Sequence, residues 1–216
     1  MKTIYEKIKA FITDKDFLYQ LFAGALVLFL GMITSVLGNQ HATANMGPSV
    51  PDIFIWGISS QNMVTYYVWS AIVFLIALGL LCIWKPRTIP FLFLGLGMFY
   101  IIRAGFMILT TPGFPEGIVG METVTPFVKK YFFGGDLFFS GHAGAPFFVA
   151  LALWTYHKIA RTLFLAISIG SAIIVLVGHY HYSVDVAGAY FITYTIYSMT
   201  KYYFPRAYEY FKQAFV

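Results

Sequence analysis

The strongest constraint on this chain is a recurrence of apolar runs about 20 residues long, each the length of a helix that crosses a bilayer. They fall at roughly 17–37, 62–84, 89–111, 140–157, 160–180 and 183–204. Charged residues make up only 11% of the 216, against about a quarter in a soluble domain. Inside hydrocarbon, backbone N–H and C=O groups must bond to one another, so such segments are expected to be helical. The predicted fold is all-α: a polytopic membrane protein with six transmembrane helices.

Lys85-Pro86-Arg87 and the segment from His157 to Arg161 read as tight connections between antiparallel neighbours. In residues 1–16, Ile4, Tyr5, Ile8, Phe11 and Ile12 recur at helical spacing among charges, which predicts an amphipathic helix on the membrane surface. Residues 17–204 then form the membrane domain and 205–216 a cytoplasmic tail. A cleaved leader ending near Ala42-Thr43-Ala44 fits less well than a retained first span, because the apolar run is long and acids precede it. The single Cys82 excludes an intramolecular disulfide.

The net charge of +5 needs no nucleic-acid partner, since the basic residues gather at span ends. One set of connections holds Lys2, Lys7, Lys9, Lys15, Lys85, Arg87, Lys158, Arg161, Lys201, Arg206 and Lys212; the opposite set holds Lys129 and Lys130. Eleven against two predicts that both termini are cytoplasmic. An even number of crossings then brings Asp52, Arg103, Asp136, His142 and His181 to the non-cytoplasmic side. Two clusters about forty residues apart, GGDLFFSGHAGAPF (134–147) and HYHYSVDVAGAY (179–190), become one candidate site.

Ionisable groups at membrane depth are costly and usually functional. His181 and Asp185 are four residues apart and share a helix face. A carboxylate there fixes the imidazole tautomer and leaves the other nitrogen as nucleophile or base; the bland alternative is a pair tying two helices together. Ser140 is an N-cap candidate, and Gly141 lets a ligand approach the first helical N–H groups, where phosphate is stabilised. His142 would sit beside that phosphate and move a proton. Arg103 has a planar fork suited to phosphate, or it snorkels to a headgroup. A metal held by His179, His181, Asp185 and Asp136 is the competing chemistry. Histidines two apart diverge on a regular helix, and a neighbouring Arg suits an anion better than a cation. The glycines Gly24, Gly31, Gly95 and Gly97 read as close helix packing, and the tyrosines and tryptophans near span ends as an interfacial belt.

These motifs resemble the sphingomyelin synthase-like branch of the type 2 phosphatidic acid phosphatase superfamily. Pro48-Ser49-Val50-Pro51-Asp52 is similar to that family's PLPD signature, and Arg103 with Thr110, Thr111 and Pro115 to its second. Gly135-Asp136 and Ser140-Gly141-His142 match CGDxxFSGHT, with Gly134 for Cys and Ala143 for Thr. His179, His181-Tyr182-Ser183-Val184-Asp185-Val186 and Ala189-Tyr190 match HxHYTxDV followed by AY. The resemblance implies a catalytic His142–His181–Asp185 triad, no metal or other cofactor, and a lumenal or exterior site.

The expected activity is transfer of a phospho-headgroup from a glycerophospholipid to a ceramide-like lipid alcohol through a phosphohistidine, releasing diacylglycerol. Arg103, Ser140 and Gly141 are the expected phosphate and substrate contacts, joined by Asp136, His179 and Asp52. A lipid phosphatase or phospholipase C-like hydrolase would use the same residues with water as acceptor. A non-enzymatic transporter predicts interrupted spans or repeat symmetry, and neither is visible in the sequence. The expected partners are membrane lipids, and the sequence allows a homo-oligomer without specifying one.

Overall fold

A computed structural model of the chain describes residues 13–120, 134–135 and 137–216. The expected surface helix within 1–16, Lys129, Lys130 and Asp136 lie wholly or mostly outside those residues. Among the described residues the structure is entirely helical, with no strand. The α-helices are α1 (Lys15–Ala44), α2 (Ile53–Trp56), α3 (Val64–Trp84), α4 (Ile89–Leu109), α5 (Gly141–Ala152), α6 (Lys158–Val177), α7 (Ser183–Tyr203) and α8 (Pro205–Gln213). A 3-10 turn, Pro86–Thr88, runs directly into α4.

Among the described residues, four helical stretches have the length and apolarity to cross a membrane: Lys15–Ala44, Val64–Trp84, Pro86–Leu109 and Lys158–Val177. Apolar helices of this length are those of an integral membrane protein, and they account for four of the six expected spans. The two remaining segments differ for separate reasons. α5 has 12 residues and reaches about 18 Å, well short of a bilayer core about 30 Å thick. It is apolar all round because it is enclosed: Ala143–Pro146 and Phe148–Ala152 are all buried, among α4, α6 and α7. Beyond Ala152 the chain turns on itself, Leu153 N–H donating to Val149 O and His157 N–H to Leu153 O. α7 has 21 residues, but Asp185, Lys201 and its many hydroxyls make it less apolar than the other four.

The most extensive helix pair is α1 on α4. Gly24, Gly31 and Gly38 recur every seven residues along one stripe of α1, all buried. A Cβ on Gly31 would lie 2.6 Å from the Gly97 carbonyl oxygen, and one on Gly97 2.6 Å from the Val27 carbonyl. The backbones therefore touch, as at small-residue interfaces in membranes. α4 is half buried along its span, which makes it the central strut that carries Arg103.

Helix direction alternates, so the bundle has two ends. At one end lie Lys85, Arg87 and the α6 start, where the segment expected as a tail forms α8. α8 buries Ala207 and Phe211, with the Phe211 ring 5.4 Å from Phe91. At the other end the loops are tied together over long sequence distances. Gly47 N–H donates to Thr111 O at 2.8 Å, Gln61 N–H to Val177 O at 3.1 Å, and Gly135 N–H to Thr43 Oγ1 at 2.8 Å. All the described candidate site residues lie at this second end.

Candidate active site

α7 begins where its first N–H groups find carboxylates. Ser183 N–H donates to Asp52 Oδ2 at 2.6 Å and Tyr182 N–H to Asp185 Oδ2 at 2.9 Å. Asp185 thus satisfies an end donor that the helix cannot bond internally. His181 stands immediately before this cap. Its Nδ1 lies 2.8 Å from Leu137 O and 3.4 Å from Asp185 Oδ2. Both partners are acceptors, so Nδ1 carries the proton and Nε2 is the basic nitrogen of the neutral ring. The pair is buried, with His181 3% and Asp185 1% exposed.

The strip of backbone from Leu137 to Gly141 joins the elements of the site. Leu137 O holds His181, Phe139 O accepts from Arg103 Nε at 2.8 Å, and Ser140 N–H donates to Asp185 O at 3.1 Å. Ser140 Oγ caps α5 by accepting from Ala143 N–H at a long 3.5 Å. Arg103 is 5% exposed, and its guanidinium packs at Gly141, where a Cβ would meet Nε at 3.6 Å. The α5 N-terminus, with its partial positive charge, therefore points into the space beside a fixed cation.

Arg103, Gly141 and His142 line one cavity of about 260 Å³, walled also by Tyr67, Tyr100 and Phe74. The His142 ring lies against the Tyr67 ring, centroids 3.9 Å apart and planes at 32°. His142 Nε2 is buried with no hydrogen-bond partner among the described residues. His181 is not among the cavity's lining residues. The 137–142 strip thus links two imidazoles and a guanidinium, with a cavity beside Arg103 and His142.

Two residues expected at the phosphate have other partners. Both Asp52 oxygens are engaged: Oδ1 accepts from Ser183 Oγ at 3.0 Å and from Phe54 N–H at 3.0 Å, while Oδ2 caps α7. Burial raises the Asp52 carboxyl, but the Ser183, Ile55 and Phe54 donors outweigh it and hold it below the usual carboxylate range. Its geometry is that of a joint between α2 and α7. His179 has φ +56°, the left-handed region that few non-glycine residues occupy. Its Nδ1 lies 2.7 Å from Glu116 O and its Nε2 3.0 Å from Ile58 O, so both nitrogens clasp loop backbone. Asp136 lies outside the described residues. No group of three or more His, Cys, Asp or Glu side chains arranged to hold a metal occurs among the described residues. The Pro48–Asp52 and Thr110–Pro112 segments line a different, larger groove of about 900 Å³ that also touches Asp185.

Sequence reasoning passes over three groups. The Leu137 and Phe139 carbonyls carry no side-chain signal at all. Tyr182 is legible only as part of its motif; its hydroxyl donates to Gly113 O at 2.7 Å and accepts from Val50 N–H at 3.0 Å. Tyr67 reads as a belt tyrosine, but it is 5% exposed while its neighbour Tyr66 is 61% exposed.

Among the described residues the fold is all-helical, with the two histidine clusters brought together at one end of the bundle. Residues 134–203 match the family model described as PAP2 superfamily C-terminal. That stretch contains Ser140, His142, His181 and Asp185, and the match supports the type 2 phosphatidic acid phosphatase superfamily, whose members act on lipid phosphates as phosphatases and phosphotransferases. No curated protein and no solved structure matches the chain.

Proposed function

We propose that the protein is a metal-independent lipid phosphotransferase that moves a phospho-headgroup from a glycerophospholipid to a lipid alcohol such as ceramide. One observation carries this reading. The strip from Leu137 to His142 joins an imidazole held at Nδ1, a buried guanidinium and a second imidazole with an unpartnered Nε2.

In the first half-reaction His181 Nε2 attacks phosphorus and the bond from phosphorus to the diacylglycerol oxygen breaks. Protonated His142 delivers its Nε2 proton to that departing oxygen. The products are diacylglycerol, phospho-His181 and neutral His142. In the second, His142 Nε2 takes the acceptor's hydroxyl proton, the acceptor oxygen attacks phosphorus, and the N–P bond breaks to restore His181. Arg103 and the first N–H groups of α5 stabilise the phosphoryl charge in both steps. From the eleven-to-two asymmetry of basic residues we place this end of the bundle on the non-cytoplasmic side.

The match to a PAP2 pattern keeps water as the alternative acceptor, with the same residues in the same roles. Purified protein with labelled ceramide and separate phosphatidylcholine, -ethanolamine, -inositol and -glycerol donors distinguishes the two. Transfer yields a labelled phosphosphingolipid and one diacylglycerol per turnover. A free phosphorylated headgroup or inorganic phosphate identifies a hydrolase. No cleavage of any donor, phosphatidate included, or activity lost to a chelator and restored by one added metal, overturns the histidine reading.

A further inference from the structure

The N-terminal end of α3 carries no recognised motif, and residues 61–67 lie outside the stretch that matches the family pattern. It nevertheless reaches both histidine clusters. Tyr67 sits one turn into α3, where an interfacial tyrosine would face outward, as Tyr66 and Trp69 do; Tyr67 faces inward and is buried. On one side its ring covers His142 at 3.9 Å. On the other its edge meets the Tyr180 ring at 5.3 Å and 71°. The Tyr180 hydroxyl accepts from Met63 N–H at 3.1 Å, just before α3 begins, and Tyr180 directly precedes His181.

The Tyr67 carbonyl is also occupied. It accepts from Ser70 Oγ at 2.8 Å. An imidazole packed against a flat aromatic face has reduced freedom in χ1 and χ2. General acid–base exchange requires defined geometry: the transferring nitrogen must lie within hydrogen-bond reach of the oxygen that it serves.

We propose that Tyr67 is the positioning residue of the His142 acid–base group, fixing the plane of its imidazole through the ring packed against it. The proposal rests on the role given to His142 above. Its consequence is selective. A displaced His142 fails to protonate a poor leaving group but is hardly missed by a good one, whereas general loosening of the site damages both.

The test uses full-length protein purified in detergent, with Tyr67→Leu and Tyr67→Phe. Diacylglycerol release is followed from whichever of phosphatidate, phosphatidylcholine and phosphatidylethanolamine the unaltered protein cleaves. Nitrophenol release is followed from the matching p-nitrophenyl ester. Misplacing a catalytic group by about 1 Å lowers rates about 100-fold. Tyr67→Leu is therefore expected to lose about 10- to 100-fold on the lipid donor and less than about 3-fold on the aryl ester. Tyr67→Phe keeps the ring over His142 and should lose less on the lipid donor than Tyr67→Leu; equal losses in the two variants overturn the proposal. So do equal losses on the two donors. If Tyr67→Leu does not fold, Tyr67→Met, which fills similar volume without a flat face, carries the same comparison.

A second readout needs no turnover. Carbethoxylation of His142 by diethylpyrocarbonate, followed by mass spectrometry, reports how tightly the ring is held. The rate should rise several-fold in Tyr67→Leu and stay unchanged in Tyr67→Phe; an unchanged rate in Tyr67→Leu overturns the proposal. If the unaltered protein cleaves no donor, the proposed function fails, while carbethoxylation still decides the role of Tyr67.

Discussion

His181 Nδ1 lies 2.8 Å from the carbonyl oxygen of Leu137, closer than the 3.4 Å that separates it from Asp185. The carboxylate's shorter bond, 2.9 Å, goes to Tyr182 N–H at the start of α7. Tautomer control is therefore divided between a backbone carbonyl on one signature segment and a carboxylate on the other. A carbonyl cannot lose its charge or rotate away, so it holds the nucleophile's orientation even when the carboxylate is altered.

Asp185→Asn is accordingly expected to be milder than in a triad where the carboxylate alone orients the ring. There the wrong tautomer lowers kcat about 10⁴-fold; here Leu137 still accepts the Nδ1 proton, and a loss of about 10- to 100-fold is expected. Asp185→Ala should add a folding defect of about 1 kcal/mol, because Tyr182 N–H loses its acceptor. Steady-state kinetics on Asp185→Asn, with thermal unfolding of both variants, provide the check. A 10⁴-fold drop in Asp185→Asn would show that the Leu137 bond does not orient the ring.

The two histidines should separate by leaving group. His181→Ala removes the nucleophile, so no phosphohistidine should be trapped with any donor. His142→Ala should stall natural donors yet keep partial burst formation with an aryl phosphodiester, whose leaving phenolate needs no proton. Acid-quench trapping on both variants reads this directly. The assignment is reversed if His142→Ala abolishes trapping and His181→Ala retains it.

Asp52 links stability to pH. Its carboxyl is lower in the folded protein than in the unfolded chain, so its contribution is fully present above the unfolded value of about 3.9. That contribution is lost as pH falls through the lower folded value. Melting temperature in detergent should therefore fall on acidification below about pH 4, and Asp52→Asn should flatten that part of the curve. Asp52→Ala leaves Ser183 N–H without its cap and should destabilise by about 1–2 kcal/mol at pH 7. An unchanged pH–stability curve in Asp52→Asn would argue against this joint.

Gly31 tests the contact of α1 with α4. An added Cβ there meets the Gly97 carbonyl, which belongs to the backbone and cannot yield. Gly31→Val should destabilise by about 1–3 kcal/mol or more, seen as earlier loss of the monodisperse peak on heating in detergent. Gly170→Ala, where a Cβ meets nothing within 4 Å, is the matched control and should behave like the unaltered protein.

Local physics made much of this legible in advance. Apolar length and the need to satisfy backbone groups in hydrocarbon predict helices at all six places where the described structure has its long or buried ones. The glycine stripe of α1 and the residues of the two histidine clusters are likewise written in the chain. Other features depend on which surfaces meet. An apolar run reads the same whether lipid or protein surrounds it, so only packing shows that α5 is enclosed. Backbone carbonyls are identical at every residue, so Leu137 and Phe139 gain roles solely from where the 137–141 strip is laid. Asp52 and Ser183 are 131 residues apart, and no local pattern announces that a loop carboxylate caps a distant helix. Tyr67 resembles every other tyrosine near a helix end until the fold turns it onto His142. The sequence alone determined the helices and the supply of reactive groups. The tertiary structure decided which groups hold which, because those bonds join segments that meet only when the bundle closes.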